Sequence, residues 1–475
     1  MQYSDLVFLA FFLVVLVLHN LPLSWRVRKF NLLWLSYIFY AAWNPPFVVL
    51  LWASTLIDWF VGKKMYRAEG AAQRRLLLGV SLAVNLGMLS YFKYGGFVLE
   101  NFAAVVQALG VDWQPAKPSI VLPIGISFYT FQTLSYTLDI YNKRAKPWTS
   151  FLDYALFVTF FPQLVAGPIV RARHFLPQCK SRPVITAEQF GWGLCLFVIG
   201  CFQKIVIADG ILAAHVEKVF DSGAAPTMLD SWAGCYGFAV QVFCDFSGYS
   251  LCAIGVAKCL GFHLPDNFRF PFAAVGFAAF WKRWHISLSN WIRDYVYSLI
   301  RGHKSQGRSG RWMFNIIFSS ALVGLWHGAA WHWVMWGTAV GVVIVVENIV
   351  IAAAPNSSVW STRPFQLVTA FFTFALFAMT MIFARCSGLD AMGATASAMF
   401  LGSGDAPDVL THTARMVIAA VALLFFIGHW CMRHSSLDEV ADRLPWPVKS
   451  ALIAAMVAVI LMSRAPDRAF IYFQF

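Results

Sequence analysis

Charge is scarce in this chain of 475 residues: Asp, Glu, Lys and Arg supply 12% of it, against 59% hydrophobic residues and a mean hydropathy of +0.64. A soluble domain of average usage carries about 25% charged residues. A long polar block is also missing, for apolar runs recur from Leu6 to Met462 with only short segments between them. That absence excludes the division into about three soluble domains that length alone suggests. It leaves an all-α polytopic membrane protein, read as one membrane-embedded domain over residues 1–475.

Other absences narrow the chemistry. The nine cysteines form no CxxC pair and no metal-ligand spacing, so they read mostly as buried small apolar residues and no metal is expected. A Gly-rich phosphate loop, HExxH and GxSxG are all missing, which removes support for nucleotide hydrolysis or metal-dependent hydrolysis. Residues 1–18 carry Asp5, no basic stretch before the apolar run and no small-residue cleavage site, and so read as a retained first helix. Internal repeats and low-complexity segments are not visible.

The net charge of +13 would raise nucleic acid as a partner in a soluble protein. Here the cations sit between apolar runs, in residues 26–29, 63–75, 143–146, 171–182 and 301–311, the mark of cytoplasmic loops against lipid. Residues 100–114, 217–231 and 387–411 have almost no Lys or Arg and are placed outside the cytoplasm. No nucleic-acid partner is expected.

A spanning helix needs about 20 apolar residues. Residues 5–22, 30–43, 47–61, 76–92, 190–212, 333–354, 365–384 and 416–429 read as spans, with 448–462 as a last short one. Asn44-Pro45-Pro46 turns a hairpin, and Lys93-Tyr94-Gly95-Gly96 closes the fourth span. Residues 122–128 open a half-helix or broken helix with Ser127, Thr130, Gln132, Thr133 and Ser135 along it, suited to the wall of a cavity. Residues 151–165 are too short to cross and read as re-entrant. Residues 232–260 return with an interruption at 244–250. About ten to twelve crossings are expected, plus re-entrant pieces.

The chemistry-bearing residues concentrate between Phe280 and Gly337. Trp284, Leu288, Trp291 and Tyr295 repeat at helical spacing, bracketed by Lys282, Arg283, Arg293 and Asp294, which predicts a helix at the cytoplasmic interface. His285 and Ser289 share a neighbouring face, and a belt histidine on an interfacial helix is the bland alternative. His327 lies in an apolar run between Gly324 and Gly328, next to Trp326. There a neutral imidazole can take a proton from a hydroxyl, or be a core histidine bonded across helices. His332, between Trp331 and Trp333, reads as structural. Asp245 could hold a histidine tautomer, pair with a cation or cap a broken helix. Cys244 could carry an acyl group, though buried lone cysteines are usually inert.

Residues 122–132, 161–169, 245–250, 281–294 and 324–328, together with the closing Phe470-Ile471-Tyr472-Phe473-Gln474-Phe475, resemble the membrane-bound O-acyltransferases, and among them the bacterial alginate O-acetylating branch. The resemblance implies a ring of tilted transmembrane and re-entrant helices around a central tunnel in the bacterial inner membrane. It implies transfer of an acyl group, acetyl first among them, from a cytoplasmic thioester such as acetyl-CoA to an exported polysaccharide such as alginate or cellulose. Transfer would be direct or through a periplasmic or synthase-complex partner, with no bound cofactor.

His327 corresponds to the tunnel histidine and His285 to the second functional position. On this reading His327 is general base and His285 orients the thioester or stabilises its oxyanion. Lys282, Arg283 and Arg293 form the donor mouth with Arg301, Lys304, Arg308 and Arg311 behind them, and Asp245, Ser289 and Trp326 lend support. A transporter using the histidines as a pathway, or a non-catalytic anchor for a synthase, are the rival readings.

Overall fold

The computed structural model describes residues 2–116, 120–221, 226–301, 310–355, 357–386, 388–402, 408–463 and 468–471. Their regular structure is helical, and no strand occurs among the described residues. Among the described residues, seven helices are long and apolar enough to cross a membrane, with Leu6–Asn20, Leu389–Leu401 and Trp446–Met462 as shorter apolar ones. The chain is an all-α, multi-pass membrane protein. Lys304, Arg308 and the residues 472–475 of the closing motif lie outside the described residues, as does most of the 301–311 loop.

The backbone forms two compact units: Met1–Leu194 with Ala253–Pro265, and Cys195–Cys252 with Asp266–Phe475. In the first, Pro45–Arg67 starts immediately after Asn44, as the double proline requires. The expected basic loop at 26–29 is instead the first turn of Trp25–Ala41, with Arg28 and Lys29 buried. Burial is tolerated because each charge is bonded. Arg28 donates to the carbonyls of Leu21 and Leu23, and Lys29 pairs with Asp153 at the start of Phe151–Thr159.

The span expected to close at 93–96 also continues, as one apolar run Ala71–Ala108 with a π turn at Ser90–Tyr94. Gly95 takes helical dihedrals there, so the glycine pair weakens the helix by about 1 kcal/mol each without ending it. Residues 100–108 of the segment placed outside at 100–114 are therefore helix. The half-helix is observed as Ile126–Tyr141, opening at Gly125 with φ +75, where a Cβ would meet the Leu164 carbonyl at 2.6 Å. One of its polar residues is accounted for within the core: Thr133 joins Ser54, Asn85, Asp58 and Ser81 in a buried hydrogen-bond network. The nine residues of Phe151–Thr159 are too few to cross.

The expected break at 244–250 is absent from the structure, where Met228–Cys259 is one continuous 32-residue helix. The glycine that suggested a break serves close packing. A Cβ on Gly248 would lie 2.6 Å from the Gly200 carbonyl, and one on Gly200 only 2.4 Å from the Gly248 carbonyl. Residues 389–401, placed in an outer loop, form the apolar helix Leu389–Leu401.

Within the second unit, Gly310–His327 and Trp331–Ala353 form a hairpin whose turn follows His327 directly. Small residues let the two backbones touch: a Cβ at Gly324 would sit 2.0 Å from the Trp333 carbonyl, and one at Gly337 2.2 Å from that of Ser320. Gly324→Ala should therefore cost about 1–3 kcal/mol through overpacking. The check is a lowered thermal midpoint of the detergent-solubilised protein; an unchanged midpoint would show that the hairpin is not this tight.

Candidate active site

His285 is held by an unusual backbone. With φ +44 and ψ 53 it occupies the left-handed region, a strained position for a residue with a Cβ, and it separates Phe277–Trp281 from Ile286–Trp291. The expected helix from Trp284 through Tyr295 thus begins only at Ile286. Two backbone bonds fix the kink: Ile286 N–H donates to the Asn267 carbonyl and Arg269 N–H to that of Arg283, both at 2.9 Å. Ser289 hydroxyl closes the turn on the Trp284 carbonyl at 3.4 Å. Trp284, Leu288, Trp291 and Tyr295 are all buried nonetheless.

The orientation of the His285 ring comes from a residue the sequence reading missed. Asn267 Oδ1 accepts from Ser287 N–H at 3.3 Å and from the Ser287 hydroxyl at 2.9 Å, and it lies 3.0 Å from His285 Nδ1. Because a backbone N–H identifies that atom as oxygen, Nδ1 must carry the proton. Asn267 Nδ2 donates to Ser250 at 3.1 Å, which fixes the amide from its other end. The neutral ring therefore presents a lone pair at Nε2, a buried atom with no hydrogen-bond partner among the described residues. Only the short helix-free string Pro265-Asp266-Asn267 marked Asn267 in the sequence, and it has no periodic signal.

His327 ends Gly310–His327 and is 6% exposed. Trp333 stacks on its ring at 5.7 Å and Trp336 meets it edge-on at 5.2 Å. The imidazole lines a cavity of about 30 Å³, with Phe238, Val242, Trp284, Phe377, Met381 and Ala384 among its walls. That is room for one water molecule. Trp326 lies beside both histidines, 6.0 Å from the His285 ring and 5.0 Å from His327. The glycines around His327 admit the backbone and ring of Trp333, since a Cβ at Gly328 would lie 2.1 Å from the indole.

The other expected residues are less concentrated. Asp245 pairs with Lys204 at 2.6 Å, and its second oxygen accepts from Ile471 N–H at 2.7 Å; of its three possible uses this is the cation pair. Phe246, next to it, packs edge-on against His285 at 4.6 Å. Arg283 is half-buried and donates to the carbonyls of Arg433 and Arg269 at 2.9 and 3.3 Å. It lies between two short helices, outside the long apolar ones. Burial, and then the like charges of Arg269 and Arg433, hold its guanidinium below the usual arginine range, a setting that an arriving anion relieves. Lys282 is exposed, and Arg293, 65% exposed in its side chain, pairs with the adjacent Asp294. Cys244 is fully buried.

Two buried imidazoles with an indole between them suit proton transfer and orientation around a hydroxyl, and comparison with known proteins gives that chemistry a family. Residues 142–389 match the model of the membrane-bound O-acyltransferase family. The probable alginate O-acetylase of Azotobacter vinelandii is 37% identical over 84% of this chain and 78% of its own length. That of Pseudomonas putida is 35% identical over 90% and 87%. A peptidoglycan O-acetyltransferase of Helicobacter pylori is 29% identical over 94% and 92%. The chain is an O-acyltransferase and belongs to the membrane-bound O-acyltransferase family.

Proposed function

We propose that the protein moves an acyl group, acetyl first among them, from a cytoplasmic thioester such as acetyl-CoA to hydroxyls of an exported polysaccharide. Alginate is the polymer that the names of two relatives suggest, and a cellulose-like polymer suits the same chemistry. The setting is a bacterial inner membrane, and the product leaves either directly or through a periplasmic acetyltransferase or synthase-complex partner. Residues 1–475 act together, with a ring of tilted helices enclosing the route from donor to acceptor.

The observation that carries this reading is the pair of buried histidines flanking Trp326. His327 removes the proton from the acceptor hydroxyl as its oxygen attacks the thioester carbon, then returns it to the departing thiolate. Base catalysis of this kind contributes about 10²–10⁴-fold. Of the two roles expected for His285, the fixed tautomer favours orientation. A neutral ring with its lone pair at Nε2 accepts from an N–H of the donor arm, whereas an oxyanion needs a donor. Lys282, Arg283 and Arg293 attract the donor's phosphates, an attraction that salt weakens.

The test uses purified protein in detergent with radiolabelled acetyl-CoA and a mannuronate oligosaccharide. Transfer of label to the sugar, or hydrolysis of the thioester without it, is expected. A protein that does neither while folded would overturn the reading. Direction is checked separately in whole cells. A cysteine placed at Gly70 should be protected from an impermeant thiol reagent and one at Gly404, outside the described residues, should react. The opposite pattern would reverse the donor and acceptor sides.

A further inference from the structure

Within the first unit, a cavity of about 530 Å³ is lined by Tyr136, by residues 145–149 and Asp153, and by residues from 172 to 180. Lys146, Arg173 and Lys180, all exposed, bring three cations to this one concave surface. Among the described residues its lining holds one acid, Asp153, and that acid is already spent. Asp153 Oδ1 pairs with Lys29, and Oδ2 accepts from the Trp148 indole at 3.0 Å. No carboxylate among the described residues pairs with Lys146, Arg173 or Lys180, and Arg173 gives one N–H to the neighbouring His174 at 3.2 Å. A cleft lined by one sign of charge concentrates the opposite sign, so its ligand is an anion.

The walls are braced before any ligand arrives. Trp148 is held at both ends, since its backbone N–H donates to the Tyr136 hydroxyl at 3.1 Å and its indole to Asp153. Lys29 donates to the Cys179 carbonyl at 3.1 Å, and the Trp25 indole donates to the same carbonyl at 2.8 Å, one residue before Lys180. The buried Lys29–Asp153 pair therefore ties one wall of the cavity to the other. That is a use for it, because a buried ion pair contributes little net stability by itself. Lys180 Nζ lies 5.4 Å from the Trp148 ring centroid, so a cation and an aromatic face meet where the walls approach.

The rest of the lining selects among anions. Ala145, Pro147, Leu176 and Pro177 are apolar, and the volume is that of a small-molecule site, much larger than a bare phosphate needs. Phe151, 41% exposed, follows the Trp148 wall directly, and exposed aromatics of this kind sit at the membrane–water interface. The basic segments 143–146 and 171–182 meet the cytoplasmic leaflet on the orientation proposed above, and basic pockets on that side bind anionic lipid head groups.

We propose that this cavity holds an anionic phospholipid, with Lys146, Arg173 and Lys180 around the headgroup phosphate and the glycerol esters against Leu176 and the two prolines. The site stands apart from the acyl-transfer chemistry and rests on the proposed orientation for the choice of leaflet alone.

Thr149 lines the cavity and is exposed; Thr149→Cys is made together with Cys431→Ser, which removes the one exposed native thiol among the described residues. In phosphatidylcholine nanodiscs an uncharged maleimide should label the Thr149→Cys protein readily. Including phosphatidylglycerol should slow that labelling several-fold, and the combined changes Lys146→Gln, Arg173→Gln and Lys180→Gln should abolish the slowing. In detergent, each single change should weaken binding of a short-chain phosphatidylglycerol about fivefold, the effect of one cation near an anionic membrane surface. Added salt should weaken it as well. Labelling equal in the two lipids, or slowing that survives the triple change, overturns the proposal. Protection by glycerol 3-phosphate in phosphatidylcholine discs equal to that by the lipid assigns the cavity to a soluble phosphate and overturns the lipid assignment. If the triple variant fails to fold, Lys146→Gln alone decides, and unchanged phosphatidylglycerol affinity in that protein overturns the site.

Discussion

His327→Ala should abolish acyl transfer to the acceptor while the protein still inserts and folds. The imidazole lines a cavity of about 30 Å³ among aromatic walls, and it is the one basic side chain among the described residues that line it. Losing the base alone removes about 10²–10⁴-fold. The truncation also opens room beside Trp333 and Trp336, where water can compete with the acceptor hydroxyl. Positioning of the two reactants, for which effective molarity supplies about 7–11 kcal/mol, would be degraded at the same time. The measurement is acetyl content of the acceptor per inserted protein. Normal acetylation by a His327→Ala protein would end the general-base assignment. His332→Ala, in the first turn of the next helix, should do far less.

What the sequence makes legible is a polar group where an apolar run has no use for it. His327 and His285 stand out on that ground, and Asp245 too, because solvation cost is visible in composition alone. What stays hidden is the partner that removes the cost. Asp245 was recognisable as an intramembrane acid, but Lys204 and the Ile471 amide, which accept that role, lie 41 and 226 residues away. The same blindness made residues 26–29 look like a solvated loop, since nothing local reveals that Asp153 meets Lys29.

Glycine misled where it was read as a break. Gly95 and Gly248 read as breaks, yet each lies inside a helix, Gly248 for contact with Gly200. At Gly324 the missing side chain admits the backbone of Trp333. The left-handed kink at His285 had no signal at all, because no glycine or asparagine occupies that position.

The second large effect is expected at His285, and it separates the residue from the device that aims it. His285→Ala removes the accepting Nε2 and should lower kcat/KM for the donor by about 10²-fold, the loss that a misplacement of about 1 Å can produce. Asn267→Ala leaves the imidazole but removes the oxygen that accepts from Nδ1, from Ser287 N–H and from the Ser287 hydroxyl. The ring can then turn or take the other tautomer, so a donor KM that rises with a smaller fall in kcat is the expected result. Asn267→Asp keeps an oxygen for all three bonds and should recover most of the activity. A merely structural role for Asn267 would show as lost folded protein, with the donor KM of the remainder unchanged. That outcome, or wild-type donor kinetics in a folded Asn267→Ala protein, would mean that the tautomer of His285 does not govern how the thioester is held.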